Sequence, residues 1–286
     1  MTAAGQRGDL VVGIDPLRDG QLALAWATDE AHRRRLPLRL VVAVPPLREA
    51  QLVDDTPRHR AQTRAGTEAL RIATDRARAR HPDVSIGSDL LDGAPATVVS
   101  GLAQEAAMIV LGSRHLSRTE EFLSAGSLVV PVTAQARCPV VVVGDSEHST
   151  QDSPYLVVGV DGSEPSRCAL ALAFEEADLR RCGLRAVAVW QPPVFFRHTD
   201  GASFQAERRM LAETTAGWSE RYPDIRITHE VLVGSPVEML AEAAEHALAV
   251  VVGRRGRGGY MGMRLGSVVH GLLHRAHCPV ITVPGS

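Results

Sequence analysis

The segment from Gly253 to Ser267, GRRGRGGYMGMRLGS, holds the residues whose types and spacing suit binding chemistry best. Its pattern is Gly-x2-Gly-x9-Gly-Ser. Gly253, Gly256, Gly258 and Gly259 let a main chain approach a ligand with no Cβ in the way. Arg254, Arg255, Arg257 and Arg264 give the stretch a charge of +4, and it contains no acid. Gly266, Ser267 and Val268 read as a helix start, where unpaired amides and partial positive charge favour phosphate. Ser267 adds a hydroxyl donor. The apolar run before the loop, Leu248 to Val252, reads as a strand buried on both faces. Strand, arginine-rich glycine loop and helix start together predict a phosphate-binding site. Charge-assisted hydrogen bonds there contribute about 1.5–3 kcal/mol each.

Other chemistries are excluded by what the chain lacks. All 31 basic residues are arginine and lysine is absent. Schiff-base catalysis and a lysine-bearing P-loop are therefore ruled out. The net charge of -2 and the 4% aromatic content argue against a nucleic-acid binder. The four cysteines, Cys138, Cys168, Cys182 and Cys278, show no CxxC spacing and read as buried thiols rather than metal ligands. His270 and His274 stand one helical turn apart, as a zinc pair would, but with His277 they read as exposed helix-face residues lacking a third ligand.

The elements that position the loop come from an internal duplication. Leu10-Val-Val-Gly-Ile-Asp15 matches Leu156-Val-Val-Gly-Val-Asp161, Gly93-Ala-Pro95 matches Gly234-Ser-Pro236, and Cys138-Pro-Val140 matches Cys278-Pro-Val280. The order is kept throughout, and the spacing is the size of a domain rather than of a solenoid repeat. The polar stretch Gly144 to Pro154 reads as the linker, giving domains over 1–146 and 154–286. The 286 residues suffice for two such domains.

Each copy alternates strand and helix signals. In the second, strands are expected over 155–160, 184–190, 225–233, 248–252 and 280–283. Helices are expected over 165–181, 204–221, 236–246 and 265–275. Ser163 is the expected N-cap of the first helix and Gly183 its stop. The fold class that follows is α/β, two tandem five-stranded, mostly parallel sheets with helices on both faces. Ligands in such sheets bind at the carboxyl ends of the strands, where the strand order reverses.

The glycine loop, the Cys-Pro-Val strand and the opening Val157-Val-Gly-Val-Asp161-Gly-Ser163 together resemble the ATP-binding branch of the universal stress protein family, over nearly the whole chain. Tandem members of actinobacterial type fit the lysine-free composition. The resemblance implies a Rossmann-like fold of the adenine nucleotide alpha hydrolase kind, with ATP, alone or with Mg, as ligand. It implies that Asp161 contacts the ribose or the metal-phosphate region. Gly159 would pass beneath the nucleotide, and the backbone of Val189 would pair with the adenine edge. Gly253 to Gly259 and Gly266 to Val268 would hold the phosphates. It also implies pairing of the two copies through their last strands, Val140 to Val143 and Val280 to Val283, with a homodimer as a further assembly.

The first copy departs from this pattern. It keeps Gly13 and Asp15, with Ala43 in the place of Val189, but Pro16 replaces the glycine after the aspartate. Its loop runs from Gly112 to Gly126 and Ser127, has His115 where the second glycine belongs, and balances Arg114 and Arg118 with Glu120 and Glu121. Carboxylates beside a triphosphate are unfavourable, so weak or absent ATP binding is expected there.

Beside the intact loop the sequence offers arginines but no glutamine or carboxylate to orient a water. The expected function is a nucleotide-binding, stress-responsive regulator with at most slow ATP hydrolysis. The alternatives are an ATPase of the same fold and an interaction scaffold with vestigial sites. No basic-then-apolar leader and no membrane-length apolar run is evident, so a cytoplasmic protein is expected.

Overall fold

Runs such as Leu-Val-Val-Gly and Val-Val-Val-Gly are too apolar to leave either strand face in water, so they become central strands covered on both sides. The computed structural model describes residues 8–18, 20–46, 56–113, 128–144, 148–192, 201–258 and 264–285. The chain divides into two compact units, Met1–Asp145 and Ser146–Ser286.

The first unit runs β1 (Leu10–Gly13), α1 (Gln21–Arg34), β2 (Leu38–Val44), α2 (Thr56–Arg80), β3 (Ile86–Asp92), α3 (Pro95–Leu102), β4 (Met108–Ser113), α4 (Val129–Gln135) and β5 (Val140–Gly144). Its strand order is β3-β2-β1-β4-β5, and every pairing is parallel. The second unit runs β6 (Tyr155–Gly159), α5 (Glu164–Arg180), β7 (Gly183–Trp190), α6 (Gly201–Thr215), α7 (Trp218–Arg221), β8 (Ile227–Val233), α8 (Pro236–Ala243), β9 (Val250–Gly253), α9 (Ser267–Arg275) and β10 (Val280–Val283). Its order, β8-β7-β6-β9-β10, repeats that of the first, again all parallel. The order reverses between β1 and β4 in one unit and between β6 and β9 in the other. Those are the places where this fold class opens a crevice.

The cores follow from the strands. Leu10, Leu38, Leu40, Met108 and Ile109 are fully buried in the first unit, and Leu156, Leu170, Phe174, Leu184 and Leu272 in the second. At one end of each unit's strand order, β3 and β8 share one half-exposed burial pattern, as edge strands do. Cys138, Cys182 and Cys278 are buried and Cys168 is half-buried. No described helix is long and apolar enough to cross a membrane.

Three expectations change. Ser163 caps α5 by accepting the Ser166 N–H, but the helix stops at Arg181 rather than Gly183. Arg181 takes a left-handed conformation (φ 50°) and Arg35 does the same after α1 (φ 53°), so both helices end without the glycine that normally fills this position. The helix expected over 204–221 is two helices, because Gly217 (φ 79°) breaks it. The short α7 is held by its rings: Trp218 stacks on buried Phe174 at 5.0 Å between centroids, and Tyr222 stacks on both. Of the histidines expected on the fourth helix, His277 lies beyond its end and is exposed. His270 and His274 are half-buried and meet edge to face at 4.8 Å.

Candidate functional site

The crevice between β6 and β9 is a cavity of about 530 Å³. Such a volume suits a drug-sized or nucleotide-sized ligand. Gly159 and Asp161 line it from the end of β6, Val189 and Gln191 from the end of β7, and Val252 and Gly253 from β9. Arg255, Gly256, Arg257 and Gly258 form one wall, and Gly266, Ser267 and Val268 at the start of α9 form another. A Cβ on Gly159 would come within 3.0 Å of Val252 and 3.2 Å of Leu240, so this residue forms a close-packed floor.

The loop is shaped by three long-range hydrogen bonds. At its base the Gly266 N–H donates to the Arg254 carbonyl at 2.9 Å, and the Arg254 N–H donates to Val283 at 2.7 Å. Higher up, the Arg257 N–H donates to Asp161 Oδ2 at 2.8 Å. The other carboxylate oxygen of Asp161 accepts both the Ser163 N–H (2.9 Å) and the Ser163 hydroxyl (2.5 Å). Burial pushes the Asp161 carboxyl up. Hydrogen bonds from Ser163, from the Arg257 N–H and from Ser166 outweigh that effect and hold it below the ordinary carboxylate range. The tight turn to Ser163 depends on Gly162, whose φ of 78° is a conformation other residues rarely adopt.

The arginines divide by role. Arg255 and Arg257 line the cavity. Arg257 also reaches α6, where its Nη2 meets both oxygens of Glu207 at 2.9 Å. Arg254 is half-buried and is not among the residues lining the cavity. Burial, reinforced by neighbouring Arg255, pushes its guanidinium pKa down. The structure thus sets Arg254, one of the expected loop residues, behind the lining, with its main chain tying the loop base. The Gly266 amide is likewise engaged by Arg254, leaving Ser267, Val268 and Val269 as the amides ahead of the first intrahelical bond of α9, which His270 makes to Gly266. Gly259 lies outside the described residues.

The corresponding crevice of the first unit, between β1 and β4, is a cavity of about 360 Å³. Gly13, Asp15, Ala43 and Gly112 line it, with Ile14, Leu17, Val44 and Leu111 making much of the wall apolar. Asp15 behaves unlike Asp161. It accepts the Leu17 N–H at 3.0 Å and pairs with Arg18 at 3.2 Å, within its own turn. Gly126, Ser127 and His115 lie outside the described residues.

Sequence reasoning missed Glu207 and Gln191. It also missed the apolar wall made by Pro236 and Leu240 of α8. The Gly-Ser-Pro helix start at 234–236 was the available signal for α8, since proline at the first helical position places that helix over the sheet. No local pattern marks Glu207.

Comparison with known proteins agrees with this architecture. The profile of the universal stress protein family matches twice, over residues 7–144 and 155–284. Universal stress protein Rv2623 of Mycobacterium tuberculosis H37Rv is 35% identical over 294 residues, covering 98% of each chain. Universal stress protein Rv2005c of the same organism is 32% identical over 297 residues, again covering 98% of each. The crystal structure of a universal stress protein from Archaeoglobus fulgidus DSM 4304 superposes with a TM-score of 0.75 at 16% identity, covering 96% of each chain, a likeness of fold alone. With a family profile spanning both halves and full-length relatives above 30% identity, the chain belongs to the universal stress protein family.

Proposed function

We propose that the second unit binds ATP in the crevice between β6 and β9, and that nucleotide occupancy regulates a protein partner. The observation that carries this reading is the wall of the cavity. Gly256 and Gly258, the start of α9 and two arginines, Arg255 and Arg257, all border one space at the strand-order switch. That combination suits a polyphosphate. The apolar floor of Gly159, Val252 and Leu240 suits a base or ribose face, and the main chain at Val189 supplies the polar edge for adenine. Ser267 and Val268 would complete the phosphate contacts, with Mg2+ as a companion of the triphosphate.

Asp161 takes a different part from a direct ribose contact. Both of its oxygens are engaged by the protein, so it holds the loop in shape. It is also the carboxylate that lines the cavity among the described residues, and in that role it does not free a base for water activation. Turnover slower than about 1 per second is expected.

In the first unit Asp15 is drawn to Arg18 instead of to the loop, and the described lining is largely apolar. That unit is expected to bind ATP weakly or not at all. Titration calorimetry of the full chain tests both statements: about one tight ATP per chain is expected. A count of about two would overturn the asymmetry. Absence of binding at about 1 mM ATP would overturn the assignment.

A further inference from the structure

In the first unit, the carboxyl ends of α1 and α2 bring together two histidines and an aspartate that no contiguous motif announces. His32 lies in the last turn of α1, His81 directly follows α2, and Asp83 is in the turn beyond. The two imidazole rings stack with centroids 4.1 Å apart and planes 7° from parallel. His32 Nδ1 sits 2.9 Å from Asp83 Oδ2. One donor atom from each of the three residues lies within 4.8 Å of the others. All three are accessible, with side-chain exposures of 44% for His32, 25% for His81 and 66% for Asp83.

We infer that His32, His81 and Asp83 form a binding site for a divalent transition-metal ion of the Zn2+ class. Three further features favour this over a simple pair of ion contacts. First, His81 Nε2 is held 2.9 Å from Asp29 Oδ1, and Asp29 is itself gripped by Arg80 through Nε (2.5 Å) and Nη2 (2.9 Å). A carboxylate on one ring nitrogen fixes the ring and leaves the other nitrogen, Nδ1, for a metal. Second, two helices end at this point, and helix carboxyl termini favour a cation. Third, the nearby guanidiniums are already engaged: Arg80 by Asp29, Arg33 by Asp29 and Glu30, and Arg34 by Glu30. The three guanidiniums share two carboxylates, Asp29 and Glu30, and Asp83 brings the local count to three of each sign.

Two imidazoles and one carboxylate suit zinc, nickel or copper rather than magnesium or calcium, which prefer oxygen ligands. Metal–nitrogen bonds of about 2.0–2.1 Å set donors about 3.3 Å apart in a tetrahedron, so the His32–Asp83 pair opens from 2.9 Å and the stacked rings splay as His81 turns toward the ion. The fourth position would be open to water. The ion takes the place between His32 Nδ1 and Asp83 Oδ2, so any proton shared there is released on binding.

The test is titration of the untagged, full-length chain with zinc chloride. One ion per chain is expected. His32→Gln and His81→Gln should each abolish that site. Asp29→Asn, which keeps all three ligands, should weaken it by about 10–100-fold. Absence of binding at about 0.1 mM Zn2+, or a stoichiometry unchanged in both histidine variants, overturns the inference. Should the variants fail to fold by circular dichroism, the visible spectrum of the unsubstituted chain with cobalt(II) decides. Intense four-coordinate bands support the site, and a weak octahedral spectrum overturns it.

Discussion

The carboxylate of Asp161, at the end of one central strand, accepts the main-chain N–H of Arg257 at 2.8 Å, in the loop that follows the neighbouring strand. This contact fixes the height of the glycine loop above the sheet. Its counterpart is absent from the described part of the first unit, where Asp15 turns to Arg18. The difference traces to one residue. Gly162 lets the chain curl so that Ser163 caps one oxygen and leaves the other facing the loop, whereas Pro16 has a fixed φ and cannot make that turn.

Asp161→Asn is expected to weaken ATP binding about tenfold, the loss of one charge-assisted hydrogen bond. Calorimetry measures it. An unchanged affinity would show that the loop holds its shape without the clamp.

The same carboxyl sets an acid limit. Its native pKa is lowered, so its stabilisation is present above the unfolded value of about 3.9 and is lost as pH falls through the depressed native value. Thermal melts should therefore show a steeper acid loss for the wild-type chain than for Asp161→Asn, with the two curves converging at the acid end. Parallel curves would contradict the assignment.

Glu207→Gln should tighten ATP binding about two- to fivefold. The substitution frees Arg257 from a partly exposed ion pair worth about 0.5–1 kcal/mol and removes a negative charge near the phosphates. The gain should shrink in high salt. Weaker binding in the variant would mean that Glu207 positions Arg257 rather than competing for it.

Two alanine substitutions should separate binding from stability. A Cβ at Gly256 would stand 2.4 Å from Asp161 Oδ2, a side-chain atom that can move aside and open the clamp. A Cβ at Gly253 would meet the main chain of Pro165 and Ser166 at 2.7 and 2.8 Å, which cannot yield without shifting α5. Gly256→Ala should lower ATP affinity with little change in melting temperature. Gly253→Ala should lower both, by about 1–3 kcal/mol in stability. Equal effects would show that the loop and the helix move together.

Burial pushes the thiols of Cys138 and Cys278 up to about 12 and raises that of Cys182. At pH 8 about one part in ten thousand of the first two is thiolate. A thiol reagent should label Cys168 alone in the native chain and all four cysteines in denaturant. Rapid labelling at Cys138 or Cys278 would show local opening of the strand ends.

The tandem fold was legible because its cues are local and doubled. The strand-Asp opening, the Gly-x-Pro helix start and the Cys-Pro-Val strand recur in order, and each sits at the same place in its unit. The wall residues Gly256, Arg257 and Ser267 were legible because they fall in one contiguous glycine and arginine stretch that ends in Gly-Ser. What stayed hidden depends on side chains meeting across the chain. Asp161 and Arg257 are 96 residues apart, Glu207 and Arg257 are 50 apart, and His32 and Asp83 are 51 apart. No periodicity encodes such meetings; only the sheet order does. Arg254 shows the same limit in another form, since nothing in its residue type announces that its main chain ties the loop base. The stop of α5 at Arg181 was illegible because a left-handed arginine carries no compositional mark.

Because the Gly266–Arg254 bond already closes the base of the loop, much of the ordering that a phosphate grip demands is complete before any ligand arrives. Capture of a nucleotide then becomes a matter of collision and desolvation rather than of refolding. Differences in affinity among variants of this rim should accordingly surface in how long the ligand stays, not in how fast it enters.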